Sequence, residues 1–271
     1  LRGGHSNLSY KFLVEAQAFV FRMPSAWTKI LIDRAQERES YRVLEPLMVT
    51  DEIFTFDEES GNRITRYFEG ARQADPMDDQ DLRMAMEMIR RVHDRQLQVD
   101  HAFDLEGKID LYENLVRSLG VLYFRDIQEQ RAKVDALLGL VEGLEIQEVL
   151  CHGDYLFANV LFLKYGGIRL IDWEYSAMAD PLMDVAMFGI FSFFDRERLE
   201  LALTYYLGRQ AEEKEIFRLY LYAALSGYLW SMWGLYKQAH GFDLAEYPMK
   251  MYRYLKDYYD LLREMEPSLP A

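Results

Sequence analysis

In the segment Cys151-His152-Gly153-Asp154-Tyr155-Leu156-Phe157-Ala158-Asn159-Val160 an Asp and an Asn stand five residues apart, and a second Asp follows in Ile171-Asp172-Trp173-Glu174. One carboxylate can take the proton of an attacking hydroxyl. An amide oxygen and a second carboxylate can hold a divalent cation against phosphates, and this is the set that phosphoryl transfer from Mg-ATP requires. Asp154, Asn159 and Asp172 occur in the order those three roles take in the protein-kinase scheme. Singly the pieces are ordinary: His-Gly-Asp is a common turn, because Gly supplies unusual φ and Asp caps its own turn, and Asp172 alone reads as a helix cap. The ordered set makes chance turns a poor account of the pattern.

The elements that must hold these groups are legible as apolar runs. Val160 to Leu163 follows Asn159, and Ile168 to Ile171 leads into Asp172, so the pattern is strand, turn, strand with polar groups at the turns. Further upstream, Ser9 to Val14 and Phe19 to Met23 read as strands, Ile30 to Leu47 as one helix, and Phe54 to Asp57 with Ile64 to Phe68 as a hairpin about Glu59-Ser60-Gly61-Asn62. After the Asp75-Pro76 break, Leu82, Met86, Ile89 and His93 recur at helical spacing, which predicts a core-facing stripe with His93 packed inside it. Cys151 beside His152 invites a nucleophile reading, but a small apolar residue closing a buried strand is the expectation.

These motifs resemble those of the aminoglycoside phosphotransferase and choline/ethanolamine kinase superfamily, and the resemblance covers nearly the whole chain. It implies an α+β, bilobal protein-kinase-like fold, with a small β-rich N-lobe over residues 1–70 and a larger, mainly helical C-lobe over 71–271. It also implies ATP as co-substrate, Mg²⁺ held by Asn159 and Asp172, and Asp154 at the acceptor hydroxyl. Gly3-Gly4-His5-Ser6-Asn7 is similar to the short phosphate-covering loop of the family, so Gly4, His5, Ser6 and Asn7 are expected at the nucleotide, with an upstream strand expected before them. Arg22 stands where kinases carry a strand cation that touches phosphates and pairs with a helix Glu; Glu37 is the expected partner and Glu39 its competitor. Tyr67, Phe68 and Glu69 are expected in the connection that binds adenine through backbone groups.

The stretch Trp173-Glu174-Tyr175-Ser176-Ala177-Met178-Ala179-Asp180-Pro181-Leu182-Met183-Asp184 resembles bacterial choline kinases in particular. Glu174 and Tyr175 are then expected on the acceptor side. Trp230 and Trp233, three apart in a helical stretch, share one face, and with Tyr247 they are expected to enclose a quaternary ammonium, which cation–π attraction can hold. An aromatic core stripe is the plain alternative. The chain departs from the family at Phe191, where many choline kinases carry a Glu facing the cationic head. Ethanolamine or an aminoglycoside as acceptor, and a nucleotide-binding pseudokinase scaffold, remain open beside choline.

Composition suits one compact enzyme. With 271 residues, half of them hydrophobic, the chain can bury a large core. A net charge of −14 argues against a nucleic-acid partner, whose phosphates would be repelled. A single Cys excludes an internal disulfide framework and suits a reducing compartment. No run approaches the ~20 apolar residues of a bilayer span and no charged-then-apolar leader is seen, so a cytoplasmic location is expected.

Overall fold

A computed structural model of the chain describes residues 7–120 and 124–270; the expected loop residues Gly4, His5 and Ser6 lie outside them. The chain folds as two compact units, each made of two stretches: Leu1–Phe103 with Val149–Ala179, and Asp104–Glu148 with Asp180–Ala271.

In the first unit, β1 (Asn7–Val14) and β2 (Gln17–Pro24) pair antiparallel without a break from Asn7↔Pro24 to Val14↔Gln17. Their two connecting residues, Glu15 and Ala16, both take positive φ, the primed turn whose twist matches that of the strands. α1 is Arg34–Leu44, shorter than the expected 30–47. Asp33 begins it by accepting hydrogen bonds from the Ala35 and Gln36 amides, and at its end Pro46, which has no N–H to continue the ladder, lies in a short 3-10 turn, Glu45–Leu47. β3 (Ile53–Phe56) and β4 (Arg63–Arg66) form the expected hairpin and complete a four-stranded sheet in the order β1-β2-β4-β3.

β5 (Arg72–Gln73) joins β7 (Val160–Phe162) and β8 (Ile168–Leu170) in a second antiparallel sheet, while β6 (Val149–Cys151) pairs with β9 (Ala177–Ala179). α2 (Asp79–His93) packs against β6 and is capped by Asp78. Its stripe of Leu82, Met86, Ile89 and His93 is buried as the periodicity requires.

The second unit is helical: α3 (Leu105–Ser118), α4 (Ile127–Glu142), α5 (Pro181–Phe191), α6 (Arg196–Leu207), α7 (Glu213–Ala239) and α8 (Tyr247–Met265). α7 is buried on nearly every side and packs on α3, α5 and α8, so it is the core helix of this unit. At Gly227 a Cβ would stand 2.8 Å from the Met251 carbonyl, so glycine is what lets α7 and α8 approach so closely. Asp180 caps α5 by accepting from the Leu182 amide and also takes a two-pronged pair from Arg218 of α7. Tyr252 and Tyr254 of α8 donate to Asp126 and to the Phe194 carbonyl, which satisfies phenols that would otherwise be buried bare. Among the described residues no helix is long and apolar enough to cross a membrane.

Candidate active site

The loop after β6 is built by close backbone contact. Cys151 ends β6 fully buried, its sulfur 3.6 Å from the Ala179 carbonyl, as a strand-closing residue should be. Gly153 takes φ 73°, and a Cβ there would lie 2.2 Å from the Tyr175 carbonyl oxygen, so the position excludes any side chain. Tyr155 is buried and donates its hydroxyl to the Ala85 carbonyl of α2 at 2.7 Å, which pins the loop to the core. His152 Nε2 lies 3.0 Å from the Ile171 carbonyl and its ring centroid 4.5 Å from that of Trp173. The Ile171 amide in turn donates to the Asn159 carbonyl at 3.0 Å. The Asp154–Asn159 loop and the turn carrying Asp172 are therefore tied together by backbone and imidazole bonds. Asp172 itself takes φ 71°, left-handed backbone that Asp tolerates better than most residues and that concentrates at functional sites.

Asn159 donates its amide to the Asp154 backbone carbonyl at 3.0 Å and stands 3.5 Å from the Asp154 carboxylate, which turns its side-chain oxygen to other partners. Around these groups lies a network of three arginines and buried acids. Arg22 Nη2 is 2.6 Å from Asp172 Oδ1 and 3.4 Å from Glu174 Oε2. Arg34 Nη1 bridges Glu37 at 2.6 Å and Glu174 at 3.0 Å. Arg63 pairs with Glu37 and approaches Asp172 at 3.7 Å. The Asn7 amide reaches the Glu174 carboxylate at 3.4 Å.

The expected pair of Arg22 with Glu37 is thus a larger lattice, in which Glu37 bridges Arg34 and Arg63 while Arg22 bridges Asp172 and Glu174. Glu174, expected beside the acceptor, is buried and used by Arg34, Arg22 and Asn7. Tyr175 is buried with its carbonyl against Gly153. Glu39, the alternative to Glu37, stands instead 3.5 Å from His101.

Arg34 and Arg63 were not foreseen. Arg63 sits directly across from Arg22 in the β2–β4 register, where like charges repel unless acids intervene. Its signal was an arginine at the same alternation as Thr65, both buried on β4.

The electrostatics divide the carboxylates. Burial, then the neighbouring Asp172 and Glu174 charges, push the Asp154 carboxyl well above the usual range, against the pull of Arg22 and Asn159. Burial also opposes ionisation of Asp172, but Arg22 and Arg63 outweigh it and hold that carboxyl below its ordinary value. Glu174 is raised, first by burial and then by Asp172. Two acids pushed apart in this way suit two roles, a proton acceptor and a permanent anion.

Tyr67, Phe68 and Glu69 form the connection after β4. The Tyr67 amide donates to Ala18, and the Phe68 carbonyl accepts from Ala71. Lys11 lies 3.9 Å over the Tyr67 ring and pairs with the Glu69 carboxylate.

In the second unit Trp230 and Trp233 meet edge to face at 5.4 Å, Trp233 meets Tyr247 at 6.0 Å, and Phe191 meets Trp230 at 5.2 Å. The buried Lys237 ammonium sits 4.9 Å over the Trp233 ring and 4.2 Å over Phe242. The three expected aromatics are therefore one cluster, joined by Phe191, with one cation of the chain already stacked on Trp233.

The phosphotransferase enzyme family model matches residues 1–220, and the chain belongs to that family. The expectation of a phosphotransferase is borne out. The chain is 25% identical over 259 residues to protein LicA of Haemophilus influenzae, spanning 92% of this chain and 76% of that protein. It is 24% identical over 267 residues to human ethanolamine kinase 1, 81% of this chain and 57% of that protein. Among solved structures it is similar to choline kinase LicA from Streptococcus pneumoniae, with a TM-score of 0.84 and 24% identity over 96% of this chain and 92% of that one. These likenesses bear out the resemblance to the choline/ethanolamine kinase type and the α+β, protein-kinase-like fold, a small β-rich N-terminal region followed by a helical C-terminal one.

Proposed function

We propose that the chain is an ATP- and Mg²⁺-dependent kinase that phosphorylates the hydroxyl of a small amino alcohol, choline first. The observation that carries this reading is the joining of Asp154, Asn159 and Asp172 by direct bonds between their two loops, with Arg22 on Asp172. Oxygen ligands from one carboxylate and one amide suit Mg²⁺, which keeps several waters and takes few protein ligands. The Arg22 guanidinium resting on Asp172 marks that carboxylate as one that holds positive charge. Asp172 and Asn159 would hold the cation, which would supply positive charge to offset the charge that develops on the transferred phosphoryl group.

The roles of the chain's own groups follow from their environments. Asp154 orients the acceptor hydroxyl and takes its proton; its raised affinity for a proton makes it a stronger base than an ordinary carboxylate. Arg22 turns from Asp172 to the phosphates, where a planar guanidinium makes two-pronged contacts. Arg34 and Arg63 hold Glu37 and Glu174, so the buried acids behind the phosphates stay neutralised. The backbone about Tyr67, Phe68 and Glu69 is assigned to adenine, and Gly4, His5, Ser6 and Asn7 to the phosphates. With ATP as donor, the reaction belongs in the cytoplasm. The functional division into an N-lobe over 1–70 and a C-lobe over 71–271 belongs to this same reading.

To the aromatic cluster of Trp230, Trp233, Tyr247 and Phe191 we assign the cationic head of the acceptor. A trimethylammonium suits aromatic walls, whereas a primary ammonium loses hydration without gaining acceptors. Phe191 in place of an acid removes charge attraction but adds an apolar wall. The second reading, ethanolamine as acceptor, is supported by the likeness to human ethanolamine kinase 1.

The test is ADP release by the purified chain with Mg-ATP and choline, ethanolamine or an aminoglycoside in turn. Choline should give the highest kcat/KM, and Trp230→Ala should weaken choline use by about 0.5 to 2 kcal/mol. No ADP release with any of the three would sink the kinase reading. A higher kcat/KM for ethanolamine would sink choline and leave the kinase standing.

A further inference from the structure

Outside the phosphoryl-transfer residues, the first unit brings Glu39 of α1 together with Asp100 and His101 of the segment between α2 and α3. Candidate ligand atoms of the three lie within 4.8 Å of one another. His101 Nδ1 is 3.5 Å from Glu39 Oε2 and 3.7 Å from Asp100 Oδ1. Ligands held about 2.0–2.2 Å from a tetrahedral ion stand about 3.3–3.6 Å apart, so the spacing is close to that of a coordination shell. The imidazole is nine-tenths buried, and its Nδ1 makes no hydrogen bond. Its other nitrogen, Nε2, is 3.0 Å from the Ser176 carbonyl. A carbonyl only accepts, so Nε2 carries a proton, and Nδ1 is the ring nitrogen that faces the two carboxylates. A metal-ligating imidazole is oriented in the same way by a backbone carbonyl behind it.

The acids add a second argument. Glu39 Oε2 and Asp100 Oδ1 both close on the one buried ring nitrogen, at 3.5 and 3.7 Å, so two acids crowd one another beside it. A divalent cation would relieve that crowding and give Nδ1 a partner. Asp100 is largely exposed and Glu39 partly so, which leaves a solvent side for water ligands.

We propose that Glu39, Asp100 and His101 form a second metal site that binds a borderline divalent cation, Zn²⁺ first, with water completing the shell. One nitrogen and two oxygens favour Zn²⁺ over the hard, all-oxygen preference of Mg²⁺. The site would fasten α1, which carries Glu37 two residues before Glu39, to the segment whose backbone pairs with Met178 of β9. Its role is to brace the helix behind the arginine lattice rather than to touch substrate.

The test is calorimetric titration of Zn²⁺ into the full, untagged, EDTA-stripped chain with Mg²⁺ held saturating, so that Asp172 and Asn159 do not compete. Wild type should bind one equivalent and gain thermal stability with it. Asp100→Asn, on the surface, and His101→Gln, which keeps a donor for Ser176 while removing Nδ1, should each weaken binding by about tenfold or more and abolish the thermal gain. Absence of a Zn²⁺-binding isotherm in wild type, or binding that both variants leave unchanged, would overturn the proposal.

Discussion

Asp154 is the residue whose surroundings conflict most with its charge. Truncation to Ala should lower turnover by about 100- to 10,000-fold, the usual worth of a positioned base, while nucleotide affinity measured by calorimetry changes little. Near-parental ADP release would remove Asp154 from its assigned role. Asp154→Asn adds a stability test. The folded-state carboxyl is raised above its unfolded value, so ionised Asp154 destabilises the fold above that raised value, and the cost fades as pH falls toward the unfolded one. Asp154→Asn should therefore raise Tm at pH 8, with a gain that shrinks on acidification; a variant melting lower than wild type at pH 8 would contradict the assignment. Arg63 behaves in the opposite sense. Wholly enclosed between Glu37 and Asp172, it should cost about 3–5 kcal/mol when cut to Ala, because the buried Glu37 and the partly buried Asp172 lose a partner. Chemical denaturation would read this, and a loss under ~1 kcal/mol would mean that the lattice tolerates a missing cation.

At the scale of elements, the loops depend on backbone conformations that few residues tolerate. Gly153→Ala places a Cβ against the Tyr175 carbonyl at a positive φ. It should cost more than the ~1–3 kcal/mol of left-handed strain alone, seen as a lower urea midpoint together with lost activity. A fully stable, active Gly153→Ala chain would show that the loop can shift away from Tyr175. Periodicity made α2 and its buried stripe legible, and the turn Glu59 to Asn62 announced the β3–β4 hairpin. The start and end of α1 were misjudged because the apolar residues around it continue past Asp33 and Pro46, whereas cap and proline decide the hydrogen bonding. β9 went unnoticed because three residues, Ala177–Ala179, carry no period of their own; pairing with β6 makes them a strand.

For the whole molecule, the interleaving of the two units matters most. Each unit draws on two stretches of chain, so neither is one continuous segment. A fragment ending at residue 103 would keep Arg22, Arg34, Glu37 and Arg63 but lose Asp172 and Glu174, which lie between residues 149 and 179. Such a fragment should show no cooperative melting by circular dichroism; a sharp transition would show that β1–β5, α1 and α2 stand alone. The class of chemistry was readable from sequence because Asp154, Asn159 and Asp172 lie within one strand-turn-strand segment, where spacing along the chain nearly is spacing in space. The same holds for Trp230 and Trp233 on one helix. Which arginine meets which acid could not be read in this way: Arg22 and Asp172 are 150 residues apart, and every nearby Glu or Arg offers the same charge. Partner choice there depends on β2–β4 register, the length of α1 and the left-handed turn at Asp172. Charge-pair energy depends on distance and burial, and only the folded chain sets those.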